Sequence, residues 1–263
     1  LFYLIVFLIE FTEFTLNCTF VFKTIFLSIN PTDKIALILP CYNPTGDWTR
    51  TIIDSYRNLQ RSVAHEIEII LVNDGSTKNV TKDDLMILNK EIPTIKIITY
   101  ENNRGKGFAL REGVKSTENS YIIYTDIDFP YTQDSFIKVY QKLQLGHDVV
   151  PGHRGAGYYQ NTPFLRKVIS KFLRWTLKSF LNLPTDDTQC GIKGFNQRGA
   201  KIFMQTEIDR FLFDLEFIKL AAKQKVSIAT AKVELKPGVV FSKVNLKILA
   251  RESVNFFRVL FRS

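Results

Sequence analysis

Tyr121-Ile122-Ile123-Tyr124-Thr125-Asp126-Ile127-Asp128 is an apolar run that breaks abruptly into two carboxylates. A short, continuous run of β-branched and aromatic residues reads as a strand buried on both faces. Upstream the same grammar recurs three times. Ile35 to Leu39 passes into Pro40-Cys41-Tyr42-Asn43, and Ile67 to Val72 into Asn73-Asp74-Gly75-Ser76. Ile95 to Thr99 leads to Glu101-Asn102-Asn103-Arg104-Gly105-Lys106-Gly107. Between these runs, Trp48, Ile52, Ile53, Tyr56 and Leu59 stand at helical spacing, followed by the stretches Leu85 to Ile92 and Lys106 to Lys115. The alternation predicts an α/β fold, a Rossmann-like, doubly wound, mostly parallel sheet with helices on both faces. Ligands of such sheets sit beyond the carboxyl ends of the strands, so the four polar tails are the candidate site.

The chain has 263 residues, 45% of them hydrophobic, with 13 Gly and 9 Pro, which excludes a disordered or collagen-like protein. Cys18, Cys41 and Cys190 are too far apart for a disulfide framework or a paired zinc spacing. The formal charge of +9 is concentrated in two places. Pro151 to Thr185 holds Arg154, Arg166, Lys167, Lys171, Arg174 and Lys178 and no acid, and Leu235 to Ser263 holds six basic residues against Glu252. Local anionic sites explain this better than nucleic-acid binding by a generally basic domain.

Lys167, Lys171, Arg174 and Lys178 form a cationic stripe on Phe164 to Leu181, with Leu165, Val168, Ile169, Phe172, Leu173 and Phe180 opposite. Phe241 to Phe261 repeats the pattern, with Phe256, Phe257 and Phe261 beside Lys247, Arg251 and Arg258. Paired basic amphipathic helices suit an anionic membrane surface. Leu1 to Ile9 is apolar, Glu10 and Glu13 interrupt it, and a second apolar run follows from Phe14 to Ile29. That segment matches poorly both a membrane span of roughly 20 apolar residues, which stays one reading, and a secretory signal with a basic start. A truncated upstream segment, a wrongly assigned start and an interfacial helix are its other readings. Three regions are expected: residues 1–33, a folded domain over 34–235, and a basic amphipathic segment over 236–263.

Pro-Cys-Tyr-Asn, Val-Asn-Asp-Gly-Ser, Asn-Arg-Gly-Lys-Gly and Asp-Ile-Asp, in this order, resemble the family-2 glycosyltransferases of GT-A fold. Asp187-Thr188-Gln189-Cys190-Gly191-Ile192-Lys193 and Phe213-Asp214-Leu215-Glu216 resemble motifs of the branch that makes dolichyl-phosphate glucose and mannose. The resemblance covers Lys34 to Leu235. It implies an inverting transfer of a hexose from a nucleotide sugar, of UDP-glucose or GDP-mannose type, to a polyprenyl phosphate lipid. That reaction would run at the cytoplasmic membrane face.

Such a transfer loads negative charge onto a departing nucleoside diphosphate, which a divalent cation, Mg²⁺ or Mn²⁺, stabilises without proton transfer. Asp126 and Asp128 are the expected metal ligands, with Asp126 also reaching towards the ribose. Family members often carry Gln where Pro130 stands and Asp where Asn73 stands, so the metal shell and base contacts differ here. The resemblance places Pro40, Tyr42, Asn43, Asp74, Arg104 and Lys106 on the donor, with Asp74 beneath the nucleoside. Gly152-His153-Arg154 resembles the family's Gly-Ser-Arg, which makes Arg154 a phosphate clamp, and Arg166 and Gln189 are expected beside the acceptor phosphate. Arg111 and Glu112 read as water-facing. A hydroxyl acceptor would instead need a carboxylate base, Asp187 or Asp214. A non-catalytic nucleotide-sugar or anionic-lipid binding protein is the reading from another class.

Overall fold

The computed structural model describes residues 33–155, 183–185, 187–239, 255–256 and 259. Residues 1–32, Arg166 and both cationic stripes lie outside them, as does most of the segment from 236 to 263. The described elements are β1 (Ile35–Cys41), α1 (Trp48–Gln60), β2 (Ile67–Asp74), α2 (Lys82–Glu91), β3 (Ile95–Tyr100) and α3 (Lys106–Lys115). They continue as β4 (Tyr121–Tyr124), α4 (Gln133–Gln144), β5 (Val149–Arg154), β6 (Lys193–Asn196), α5 (Gln197–Phe203), α6 (Phe213–Lys223) and β7 (Ala231–Val233).

The strands form one sheet in the order β3-β2-β1-β4-β6-β5-β7. β1 pairs in parallel with β2 and β4, opposing Ile35 to both Ile67 and Tyr121, so their polar tails emerge at one edge. β6 was not legible as a strand, and it runs antiparallel to β4 and β5. Its entry from Gly191 therefore starts beside the carboxyl end of β4, with Lys193 opposite Tyr124.

Alternation along β1 sorts the core. Ile35, Leu37 and Leu39 pack with Trp48, Ile52, Leu88 and Phe136 from α1, α2 and α4. Ala36 and Ile38 pack with Leu110, Phe203, Phe213 and Phe217 from α3, α5 and α6. The buried Leu, Ile and Phe side chains among these contribute on the order of 1.5–3 kcal/mol each. Local chemistry sets the helix starts: Thr81 and Asp84 form a reciprocal capping box on α2, and Asn196 accepts from the amides of Arg198 and Gly199 on α5. Gly113 lets α3 lie close to β1, since a Cβ there would stand 2.5 Å from Ile38 Cγ2.

Two described residues near the carboxyl terminus bear on the second basic segment. Val259 is buried and Phe256 partly buried, both against the α6 side of the core, and Lys219 Nζ donates to the Val259 carbonyl at 2.6 Å. Phe256, expected on a membrane-facing surface, instead packs inward.

Candidate active site

The tails of β1, β2 and β3 are stitched into one loop platform. Asn43, at φ 45°, accepts from the amides of Thr77 and Lys78 at 2.9 Å each, and its own amide donates to Ser76 Oγ. Asp74 is buried, and its carboxylate accepts from the amides of Arg104 (2.8 Å) and Gly105 (2.9 Å) and from Asn103 Nδ2 (2.8 Å). Gly75 lies so close to the β3 tail that a Cβ would meet the Asn102 carbonyl carbon at 2.5 Å. The expected nucleoside contacts of Asn43 and Asp74 thus meet a competing fact: these polar groups are engaged in holding the loops together. Pro40 is half-buried within β1, while Tyr42 projects its ring at the strand end, 51% exposed.

The start of α3 is also tied down. The Asp209 carbonyl accepts from the amides of Gly107 (2.7 Å) and Phe108 (3.2 Å). A Cβ on Gly105 would strike that same carbonyl at 2.4 Å, so glycine here serves close approach as well as its φ of 112°. Arg111, expected in water, donates to Thr206 Oγ1, the Ile208 carbonyl and Asp209. These partners lie more than ninety residues away, out of reach of any pattern in the α3 sequence. The Gly107 and Phe108 amides of α3 are therefore engaged by protein. Arg104 is exposed and lays its guanidinium over the Phe108 ring, 3.5 Å from the centroid.

Beyond β4 the structure gathers charge. Lys106 Nζ lies 2.5 Å from Asp126 Oδ1, with the lysine side chain 20% and the aspartate 41% exposed. Burial works against the Lys106 charge, but the carboxylates of Asp126, Asp214 and Asp128 together outweigh it and raise its pKa. Asp128 is exposed at the end of a turn closed by the Phe129 amide on the Asp126 carbonyl. Partial desolvation, and then the neighbouring Asp126, push the Asp128 carboxyl above its ordinary value. Gly191 faces Asp126, and a Cβ there would lie 2.6 Å from Oδ2.

The remaining candidates are ion-paired in the interior. Arg154 donates from Nε (2.9 Å) and Nη2 (2.5 Å) to the Asp187 carboxylate, which also accepts the Arg154 amide at 2.8 Å. Their side chains are 10% and 1% exposed. Burial opposes the guanidinium charge, yet the bond and charge of Asp187 raise its pKa further. Asp214 Oδ1 accepts from the fully buried Lys193 at 2.6 Å and from the Tyr124 hydroxyl, and Lys193 also donates to the Cys190 carbonyl. Lys193 escaped the reading because its partner lies on another element; a lysine inside Gly-Ile-Lys-Gly-Phe was the available signal. Glu216 accepts from the amides of Glu207 and Ile208 at 2.9 Å. Gln189 Nε2, Thr188 Oγ1 and Thr125 Oγ1 are buried without a hydrogen-bond partner.

No group of three metal-ligating side chains exists among the described residues. The carboxylates of Asp126 and Asp128 nevertheless suit a hard divalent cation, with oxygen donors only and a cation already drawn to Asp126 in Lys106. Phosphate oxygens and water would have to complete such a shell.

The geometry can be set beside known proteins. The yeast Saccharomyces cerevisiae dolichyl-phosphate β-glucosyltransferase is 26% identical over 74% of this chain and 64% of its own length. The Dictyostelium discoideum enzyme of the same name is 28% identical over 78% of this chain and 67% of its own. The chain thus spans about two thirds of the length of these relatives. Glucosyl-3-phosphoglycerate synthase from Mycobacterium tuberculosis, crystallised with Mg²⁺ and uridine diphosphate, superposes with a TM-score of 0.60 at 14% identity. That match covers 88% of this chain and 79% of the other, and it identifies the fold as GT-A. The pattern of glycosyl transferase family 2 matches residues 36–205, and the chain belongs to that family.

Proposed function

We propose that the protein transfers glucose from a nucleotide sugar of UDP-glucose type to a polyprenyl phosphate, with inversion, at the cytoplasmic face of a membrane. The observation that carries this is the Lys106, Asp126 and Asp128 cluster at the β4 end, in a chain similar to dolichyl-phosphate β-glucosyltransferases. A divalent ion bound at Asp126 and Asp128 would supply charge stabilisation to the departing diphosphate. Lys106, on Asp126, and the exposed Arg104 would add positive charge to the same phosphates. Direct displacement at the anomeric carbon breaks its bond to the donor phosphate as an acceptor phosphate oxygen forms the new one. That oxygen is already anionic and needs no base.

This last point agrees with the state of the other carboxylates. Asp187 is held by Arg154, and Asp214 by Lys193 and Tyr124, so neither is a free proton acceptor. A hydroxyl acceptor would require one of them. Arg154 and Asp187 then act as framework for the 187–191 loop. Gln189, with its buried Nε2 lacking a partner, remains the described residue best suited to meet the acceptor phosphate. Among the described residues no helix is long and apolar enough to cross a membrane. The cationic stripes of residues 164–181 and 241–261 are the proposed contact with anionic lipid.

The test incubates purified protein with Mg²⁺ or Mn²⁺, radiolabelled UDP-glucose or GDP-mannose, and polyprenyl phosphate in detergent. Label moving to the organic phase only with lipid and metal supports the proposal. Asp128→Asn should lower that transfer by about a hundredfold or more, as expected when a metal ligand is lost. Transfer that survives both chelator and this substitution would refute the metal-dependent mechanism.

A further inference from the structure

Lys106 occupies an unusual position for a residue expected to grip a diphosphate. Its ammonium is 2.5 Å from Asp126 Oδ1, the carboxylate on which a divalent ion would sit. The charges of Asp214 and Asp128 also act on it, and Lys193 is bonded to Asp214. The backbone beneath it is immobilised: Gly105 bonds to Asp74, and the next amides bond to the Asp209 carbonyl. Only the four-carbon stem is free to swing, and it is a fifth exposed.

An ammonium and a divalent cation cannot both bind one carboxylate oxygen, because their repulsion at contact distance offsets what each gains. We infer that Lys106 is an exchangeable counter-ion. It neutralises Asp126 until a divalent ion and a donor diphosphate arrive, and then moves from Asp126 to the diphosphate. This rests on the proposed metal and diphosphate site, and it adds an order of assembly to that site. A metal arriving alone at Asp126 is repelled by the ammonium on Oδ1, or displaces it and leaves it beside a new cation without a new partner. The metal with its diphosphate gives Lys106 a new anionic partner within the reach of its stem. Metal and nucleotide therefore promote each other's binding, and by linkage they do so reciprocally. A fixed structural clip between Lys106 and Asp126 would act oppositely, since its loss would disorder Asp126 and weaken the metal.

The experiment measures Mn²⁺ binding to the purified protein by the electron paramagnetic resonance of the free ion, with and without UDP or GDP. It compares the parent with Lys106→Gln, Lys106→Met and Lys106→Arg; two neutral replacements guard against one that folds poorly. The parent is expected to bind Mn²⁺ at least tenfold more tightly when nucleotide is saturating. Either neutral variant should bind Mn²⁺ alone about tenfold more tightly than the parent and, because phosphate oxygens still join the metal shell, keep a gain from nucleotide that is about tenfold smaller than the parent's. Lys106→Arg should resemble the parent. Neutral variants that bind Mn²⁺ alone no better than the parent, while the parent keeps its nucleotide coupling, overturn the exchange and leave the metal site standing. A parent that binds no Mn²⁺ even with nucleotide overturns both.

Discussion

Arg154→Met separates a framework role from a substrate-binding one. The substitution removes the Nε and Nη2 bonds, at 2.9 and 2.5 Å, from a carboxylate that is 1% exposed. Breaking a buried pair from one side costs about 3–5 kcal/mol, because the remaining charge loses its partner without regaining water. The Arg154 amide still donates to Asp187 at 2.8 Å, which places the expected loss near the lower end, about 3 kcal/mol. For a protein of this size that is a fall in Tm of about 6–12 °C. Asp187→Asn should also cost about 3 kcal/mol, since it leaves a guanidinium that is only 10% exposed without its counter-charge. The two losses should be non-additive by at least about 1 kcal/mol in the double variant. Urea unfolding of the four proteins, followed by circular dichroism, measures each number. A stable Arg154→Met protein whose loss adds independently to that of Asp187→Asn, and which no longer binds nucleotide, would refute the reasoning and return Arg154 to the phosphate.

Asp74→Ala removes three hydrogen bonds to a buried carboxylate and strands the Gly105 amide, so unfolding should require about 4 kcal/mol less, read by the same titration. Gly191→Ala should behave differently. Its Cβ meets the flexible end of Asp126 at 2.6 Å and the Tyr131 hydroxyl at 3.3 Å, so stability should fall by about 1 kcal/mol while Mn²⁺ affinity measured with UDP falls several-fold. Unchanged affinity would dissociate Asp126 from the metal. Burial pushes the Cys41 thiol up to about 11, partly opposed by its hydrogen bond with Ser76. At pH 8 its thiolate is then roughly a hundredfold scarcer than that of a thiol at 9.0, and alkylation mapped by mass spectrometry should be slower in proportion until urea is added. The sign for stability follows from the raised value: the folded state holds the proton longer, so stability is full below pH 9 and falls by about 2–3 kcal/mol towards pH 11.

The parallel half of the sheet was legible because apolar runs and helical spacing are local signals. Lys106 to Lys115 coincides with α3, and Ile35, Ile67, Ile95 and Tyr121 each open a strand as expected. β6 escaped because Lys193-Gly194-Phe195-Asn196 carries no alternation long enough to read, and its pairing is antiparallel to strands remote in sequence. At the site, Asp126 and Lys106 were picked out by type and position, and the structure brings them into contact. Their neighbours were picked out without the protein groups that hold them. Asp74 and Asp187 look like ligand-facing acids because a sequence shows a carboxylate but not the amides and guanidinium, some thirty residues away, that fill it. Arg111 looks solvated for the same reason, its partners being further off still.

The cap that Asp209 places on α3 has a bearing on where this protein can be cut. The family pattern matches residues 36–205, which invites a shortened chain ending there. Such a chain would lack the carbonyl that holds the Gly107 and Phe108 amides, the carboxylate that anchors Arg111, and the Asp214 beneath Lys193. The first turn of α3 would fray, and Lys106 would lose its aim. The smallest working unit therefore extends at least through α6, well past residue 205.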